Sequence, residues 1–265
     1  MITVNGLSFN SFQFSGGEWH IRLDDSFPIL SGITIRAHLT NSDEILKLFL
    51  LTDALRRKYP SVAIRLVCPY LPYARQDRVC NPGEAFSLKL MCSLLNNMKY
   101  EKIELWDVHS DVSTALLDNV TITPCTTFIG NISPLADKVL VSPDAGATKK
   151  VLNVAKHYSL PMYEAGKVRD TKTGEIVSSV YYGPHIGNKD FLIVDDICDG
   201  GKTFIELAKI LKQNTSGKVE LYVTHGIFSK GLGIFNNLID HIYVASPFPG
   251  VDLNNPILTV VGNKL

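Results

Sequence analysis

A chain of 265 residues, 45% hydrophobic and 20% charged, has the profile of a globular protein and can form one large α/β domain or two of ordinary size. Its 26 basic and 26 acidic residues cancel, which argues against a general nucleic-acid or membrane-surface binder, since such proteins carry a basic excess. The five cysteines, an odd number without a C-x-x-C pair, argue against a disulfide framework or a zinc site and for a reducing compartment.

The first 25 residues hold short alternating pieces such as HIRL around GGE, which predict strands and a hairpin. Residues 42–58, SDEILKLFLLTDALRRK, predict a helix. Ser42 or Asp43 caps it, apolar residues recur at helical spacing, and Arg56, Arg57 and Lys58 sit at the negative end of the dipole. AIRLVCPY reads as a short buried strand. Residues 84–97, EAFSLKLMCSLLNN, predict an amphipathic helix with Phe86, Leu90 and Leu94 on its apolar stripe. KIELWDVHSD is again a strand.

The pattern restarts after Pro124. KVLVSPDAG is a strand and ATKKVLNVAKHY a helix. FLIVDDICDGG is a strand and KTFIELAKILKQ a helix. VELYVTHGIF and HIYVAS are two more strands. Alternating strands and helices imply mostly parallel sheets with helices on both faces. The expected organisation is two α/β units in tandem, residues 1–127 and 128–265. The region 164–182 holds several polar and turn-forming residues, as a loop does. MITVNGLSFN has no basic segment followed by a long apolar run, and no stretch of about 18 apolar residues occurs, so neither a leader nor a membrane span is expected. The expected location is cytoplasmic.

Polar chemistry gathers where the strands stop: PYARQDR, DVHSD, SPDAG, DDICDGG and THGIFS. Ligands of open α/β sheets bind beyond the carboxyl ends of the strands. A single aspartate there is ordinarily a helix cap or turn former; five such ends in one chain ask for more.

The stretch DDICDGGKT ends like a Walker A loop, but the glycine that motif needs five positions before Gly201 is Asp196, where a carboxylate would face the phosphates. A P-loop is therefore rejected. Asp199, Gly200, Gly201, Lys202 and Thr203 instead form a loop at a helix N-terminus. Open N–H groups and the dipole there cradle phosphate, glycines let the backbone approach, and Lys202 and Thr203 add donors. Asp195 and Asp196 stand just before it, placed to accept from hydroxyls. Two carboxylates beside a phosphate cradle describe a ribose 5-phosphate site, the pattern of families that bind phosphoribosyl diphosphate.

Across nearly its whole length the chain resembles the ribose-phosphate pyrophosphokinase family. The resemblance runs in order through FSGGEWHIRL, LTDALRRKYPSVAIRLVCPYLPYARQDR, GEAFSLK, DVHSD, VSPDAG, DDICDGGKT and YVTHGIFS; PYARQDR is its most specific piece. It implies two tandem phosphoribosyltransferase-like, Rossmann-like domains with mostly parallel sheets, an N-terminal one for ATP and a C-terminal one for ribose phosphate. Arg75 and Gln76 would hold ATP, with Asp77 beside the nucleotide. His109 and Asp144 would hold Mg²⁺, and Phe14 and Glu18 match a hairpin that touches adenine across a subunit boundary, which implies a homo-oligomer. Lys167 and Arg169 match the mobile catalytic loop. The implied reaction is attack of the anomeric hydroxyl of ribose 5-phosphate on the β-phosphorus of ATP, releasing AMP.

Two departures bear on chemistry. The family hairpin reads F-S-D-G-E where this chain has Gly16, and its phosphate loop reads D-T-G-G-T where this chain has Lys202 before Thr203. Lys202 opens the alternative that a 5-substituted ribose such as ADP-ribose is the acceptor, with a link to NAD metabolism. A silent regulatory homologue and a phosphoribosyltransferase are further alternatives. The first predicts no AMP with any sugar, the second consumption of phosphoribosyl diphosphate without ATP.

Overall fold

The computed structural model describes residues 1–24, 27, 32–169 and 176–262, with the backbone alone at 167–169 and 176–178. The chain divides into two compact units between Thr123 and Pro124, a few residues before the expected 127/128.

The first unit contains β1 (Ile2–Val4), β2 (Asn10–Gln13), β3 (Trp19–Arg22), β4 (Ile33–Ala37), α1 (Ser42–Lys58), β5 (Ile64–Val67), α2 (Ser87–Asn97), β6 (Lys102–Trp106), α3 (Val112–Leu116) and β7 (Val120–Thr123). β2 and β3 form the separate hairpin expected around GGE. The main sheet runs β1-β4-β5-β6-β7, parallel except for the antiparallel β1. Its order follows the sequence from β4 to β7, so successive crossovers move in one direction.

α1 is capped by Asn41, one residue before the expected Ser42 or Asp43. Asn41 is extended, and its side chain accepts from the Glu44 N–H at 3.0 Å, satisfying a donor the helix cannot. Leu48, Leu51, Thr52 and Leu55 fill the buried stripe. The helix stops at Lys58, with Tyr59 leading into Pro60, which disfavours a helical residue before it. In α2 the expected stripe is wrong by a rotation. Leu88, Met91, Cys92 and Leu95 are buried, whereas Leu90 and Leu94 are exposed. Both sets have helical spacing, and the one containing the sulfur side chains packs inward.

The second unit contains α4 (Cys125–Ile129), β8 (Lys138–Ser142), α5 (Ala145–Tyr158), β9 (Met162–Arg169), β10 (Ile176–Tyr181), β11 (Asp190–Cys198), α6 (Lys202–Leu211), β12 (Val219–Gly226), β13 (His241–Pro247) and β14 (Leu258–Val260). The sheet order is β10-β9-β8-β11-β12-β13-β14, parallel except for β10. Of the expected loop over 164–182, residues 164–169 and 176–181 form an antiparallel pair, and residues 170–175 lie outside the described residues. Lys167 pairs with Ser179 and Arg169 with Ile176, because Ile176, Val177 and Val180 supply β-branched residues among the polar ones.

This order fixes where a ligand fits. From β8 the chain crosses through α5 to β9 on one side. From β11 it crosses through α6 to β12 on the other. Neighbouring connections that leave in opposite directions open a crevice at the carboxyl ends of the two strands. β8 ends at SPDAG and β11 at DDICDGG. At the opposite ends of the strands, Lys138 pairs with Glu220, both almost fully buried, and lies 3.7 Å from Asp190. Tyr243 Oη donates to Glu220 at 3.5 Å.

Candidate active site

β8 delivers Ser142 to the crevice, and Asp144 begins α5. Asp144 is extended, and its Oδ1 accepts from the Ala147 N–H at 3.2 Å. The Ser142 hydroxyl donates to the Asp144 carbonyl at 2.7 Å. The carboxylate expected to meet metal is thus also a helix cap, held partly accessible at a strand end.

β11 carries Asp195 and Asp196. The Asp196 N–H donates to Asp195 Oδ1 at 2.9 Å. Burial pushes the Asp195 carboxyl well above the usual carboxylate range, and the neighbouring Asp196 charge pushes it further. A pair this close favours sharing a proton over double ionisation. Asp196 is buried at 6% exposure, and Lys150 from α5 brings its Nζ to 3.9 Å from Asp196 Oδ2.

The backbone next turns through Asp199, Gly200 and Gly201 into α6. The N–H groups of Ile227 and Phe228 donate to the Cys198 carbonyl, and Ser229 N–H donates to that of Asp199 at 3.1 Å. These bonds fasten the loop to the segment after β12. Gly201 has φ +74, and a Cβ there would stand 2.7 Å from Phe235 Cζ and 2.9 Å from Ile234 Cδ1. Only glycine fits. At Gly200 a Cβ would meet nothing within 4 Å, so that face of the loop is open. Unlike α1 and α5, α6 has no side-chain cap, and like α5 it has no acidic residue in its first turn. Its first residue is the exposed Lys202, followed by the half-buried Thr203. A cation beside the positive end of a helix is unfavourable by itself, and an anion at that spot relieves both the dipole and the uncapped N–H groups.

In the first unit PYARQDR follows β5. Arg75 and Gln76 are exposed on its turn, while Asp77 is buried. Asp77 Oδ1 accepts from Arg78 Nε at 2.9 Å. Burial opposes ionisation of Asp77, but hydrogen bonds from Arg78 and then Ser110 outweigh it and hold the carboxyl below its usual range. Asp77 therefore ties the loop after β5 to DVHSD after β6, where His109 is exposed. Asp77, expected beside the nucleotide, has its carboxylate hydrogen-bonded by Arg78 and Ser110.

Phe14 and Glu18 lie on the turn between β2 and β3, closed by Phe14 N–H donating to the Glu18 carbonyl at 2.9 Å. Phe14 is exposed and packs edge-on against Phe12 at 5.1 Å between centroids. A Cβ at Gly16 would be 3.3 Å from Glu18 Oε2, so an aspartate there would crowd that carboxylate. Lys167 and Arg169 end β9, and their side chains lie outside the described residues. The crevice therefore assembles Asp144, Asp195, Asp196, Asp199, Gly200, Gly201, Lys202 and Thr203 in one unit. Arg75, Gln76, Asp77 and His109 share the strand ends of the other.

Sequence reasoning missed Lys150. Its signal was the helical wheel. Ala147, Val151 and Val154 form the buried stripe of α5, and Lys150, three residues after Ala147, falls on it.

Residues 2–98 match the family model for the N-terminal domain of ribose phosphate pyrophosphokinase. A ribose-phosphate pyrophosphokinase of Mycoplasma pneumoniae is 30% identical over 253 residues, covering 89% of this chain and 75% of that protein. One of Mycoplasma genitalium is 31% identical, covering 89% of this chain and 74% of its own length. Among solved structures, the phosphoribosylpyrophosphate synthetase of Mycobacterium smegmatis superimposes with a TM-score of 0.79 at 23% identity, covering 96% of this chain and 86% of that one. That likeness concerns the fold: α/β, with two tandem phosphoribosyltransferase-like domains and mostly parallel sheets.

Proposed function

The chain belongs to the ribose-phosphate pyrophosphokinase family, and from that premise we propose that it transfers the diphosphoryl group of ATP to the anomeric hydroxyl of ribose 5-phosphate, giving phosphoribosyl diphosphate and AMP. The observation that carries this reading is the crevice between β8 and β11, where an acid pair adjoins an uncapped helix N-terminus. The Lys202 and Thr203 N–H groups and the Lys202 ammonium receive the 5-phosphate. Asp195 and Asp196 take the sugar hydroxyls, one as acceptor and the protonated partner as donor. The sugar is thus held at both ends, which presents its anomeric hydroxyl for in-line attack.

Arg75 and Gln76 bind ATP, and Asp77 keeps their loop in register with His109. Phe14 and Glu18 meet adenine from a second copy of the chain, so a homo-oligomer is part of the proposal. So is a cytoplasmic location, where nucleotide substrates are present and the cysteine thiols stay reduced. Lys167 and Arg169 supply positive charge to the transferring phosphate oxygens.

Mg²⁺ is the implied metal. Asp144 is a hard oxygen donor at a strand end, and magnesium is commonly held by one or two carboxylates together with waters and substrate phosphates; the donor set fits. Asp144 and His109 would hold it, and when bound it would polarise phosphate oxygens as a Lewis acid.

Incubation with ATP, Mg²⁺ and ribose 5-phosphate, followed by mass spectrometry, should show AMP and phosphoribosyl diphosphate appearing together. Absence of both products overturns the reading. A second acceptor, ADP-ribose, is favoured by the exposed Lys202 and the open space over Gly200, which accommodate a diphosphate bridge in place of a terminal phosphate. Its turnover in the same assay supports that acceptor, and turnover of ribose 5-phosphate alone sinks it.

A further inference from the structure

Lys150 occupies a position where α5 otherwise buries aliphatic side chains. It follows Ala147 by one helical turn and precedes Val154 by another, and both are buried. Its side chain is 18% exposed, and its ammonium nitrogen is out of contact with solvent. A buried ammonium is unfavourable unless opposite charge compensates it. The compensation comes from the end of β11: Asp196 Oδ2 lies at 3.9 Å, and the ammonium also acts favourably on the Asp195 carboxylate. That distance is an ion pair rather than a direct hydrogen bond, so the charge acts on the orientation of the Asp196 carboxylate. A cation beside Asp196, anchored on the helix that Asp144 caps, favours the charged form of that carboxyl and fixes its direction.

We propose that Lys150 is a positioning residue of the sugar subsite, whose buried ammonium holds Asp196 in the orientation that accepts a ribose hydroxyl. The inference rests on the ribose-phosphate reading of the crevice. It assigns Lys150 no contact with ATP and no proton transfer. Its effect therefore falls on sugar binding and leaves nucleotide binding alone. A guanidinium keeps the charge and the reach, whereas an isosteric thioether keeps only the packing.

The test uses the full-length enzyme with Lys150→Met, Lys150→Arg and, as a surface control on the same helix, Lys156→Met. Ribose 5-phosphate binding is measured by isothermal calorimetry, and KM for each substrate by AMP release. Thermal unfolding identifies any variant that fails to fold, in which case Lys150→Gln replaces Lys150→Met. The expected result is a rise of about tenfold in Kd and KM for ribose 5-phosphate in Lys150→Met, the scale of losing one charge-assisted contact. KM for ATP should stay within about twofold, and Lys150→Arg should recover most of the loss. Unchanged sugar binding in folded Lys150→Met overturns the inference, as does an equal rise in both KM values or failure of arginine to rescue. If wild type binds no ribose 5-phosphate, the parent reading falls and the role of Lys150 falls with it. Binding that is present and equal in wild type and Lys150→Met removes Lys150 alone.

Discussion

Gly200 and Gly201 are adjacent and chemically identical, and alanine is expected to affect them in opposite ways. At Gly201 the φ of +74 costs an L-residue about 1–2 kcal/mol. The new methyl would also stand 2.7 Å from Phe235 Cζ. Phe235 is fully buried and packs edge-on against Phe228 at 6.1 Å between centroids, so it has no room to yield. Overpacking of this kind costs about 1–3 kcal/mol, and the two terms give about 2–5 kcal/mol for Gly201→Ala. At Gly200 φ is not positive and a Cβ meets nothing within 4 Å, so Gly200→Ala should change stability by less than about 1 kcal/mol. Both tryptophans, Trp19 and Trp106, belong to the first unit. Urea denaturation is therefore best followed by far-UV circular dichroism, which reports both units. Gly200→Ala places its methyl on the open face of the loop proposed to hold phosphate, so it should fold normally yet bind ribose 5-phosphate about tenfold more weakly. Equal unfolding midpoints for the two variants would refute the geometric argument.

Two further outcomes test the packing beneath the sites. Lys138→Met should destabilise the second unit by about 3–5 kcal/mol, because it strands the buried Glu220 carboxylate; the double variant Lys138→Met/Glu220→Leu should recover most of that loss, and a double variant no better than the single one would contradict the explanation. His38 is buried, and burial lowers its pKa from 6.5 to about 4. The unfolded chain thus binds this proton first as pH falls, and stability present above pH 6.5 drains away down to about pH 4, by up to about 3 kcal/mol. His38→Gln should flatten the pH dependence of the urea midpoint within that window, and an unchanged slope would show that His38 does not carry it.

What the sequence made legible follows from how locally each feature is determined. The loop 199–203 reads clearly because its parts are adjacent in the chain: a strand end, glycines and a helix start fix one another within a few residues. The α2 stripe reads poorly because two sets of residues share helical spacing. Which set turns inward is decided by the sheet it packs on, so Leu90 and Leu94 face out despite their apolarity. The strands at 162–169 and 176–181 hide for a related reason. Their polar residues suggest a loop, and only the edge position beside β8, with an antiparallel partner to take up the free hydrogen bonds, makes them strands. Lys150 and the Asp77–Ser110 tie depend on meetings between distant segments, across which no local pattern is written. Even so, a basic residue on a buried stripe is a local anomaly. The helix 145–158 places a charge where its own periodicity calls for an aliphatic side chain, and no stable core leaves such a charge without an acid to face. Among the described residues, the strand order brings the β11 carboxylates Asp195 and Asp196 beside that helix at the crevice end. Periodicity combined with the switch in sheet order thus makes the acid pair a candidate partner for Lys150 before any distance is measured.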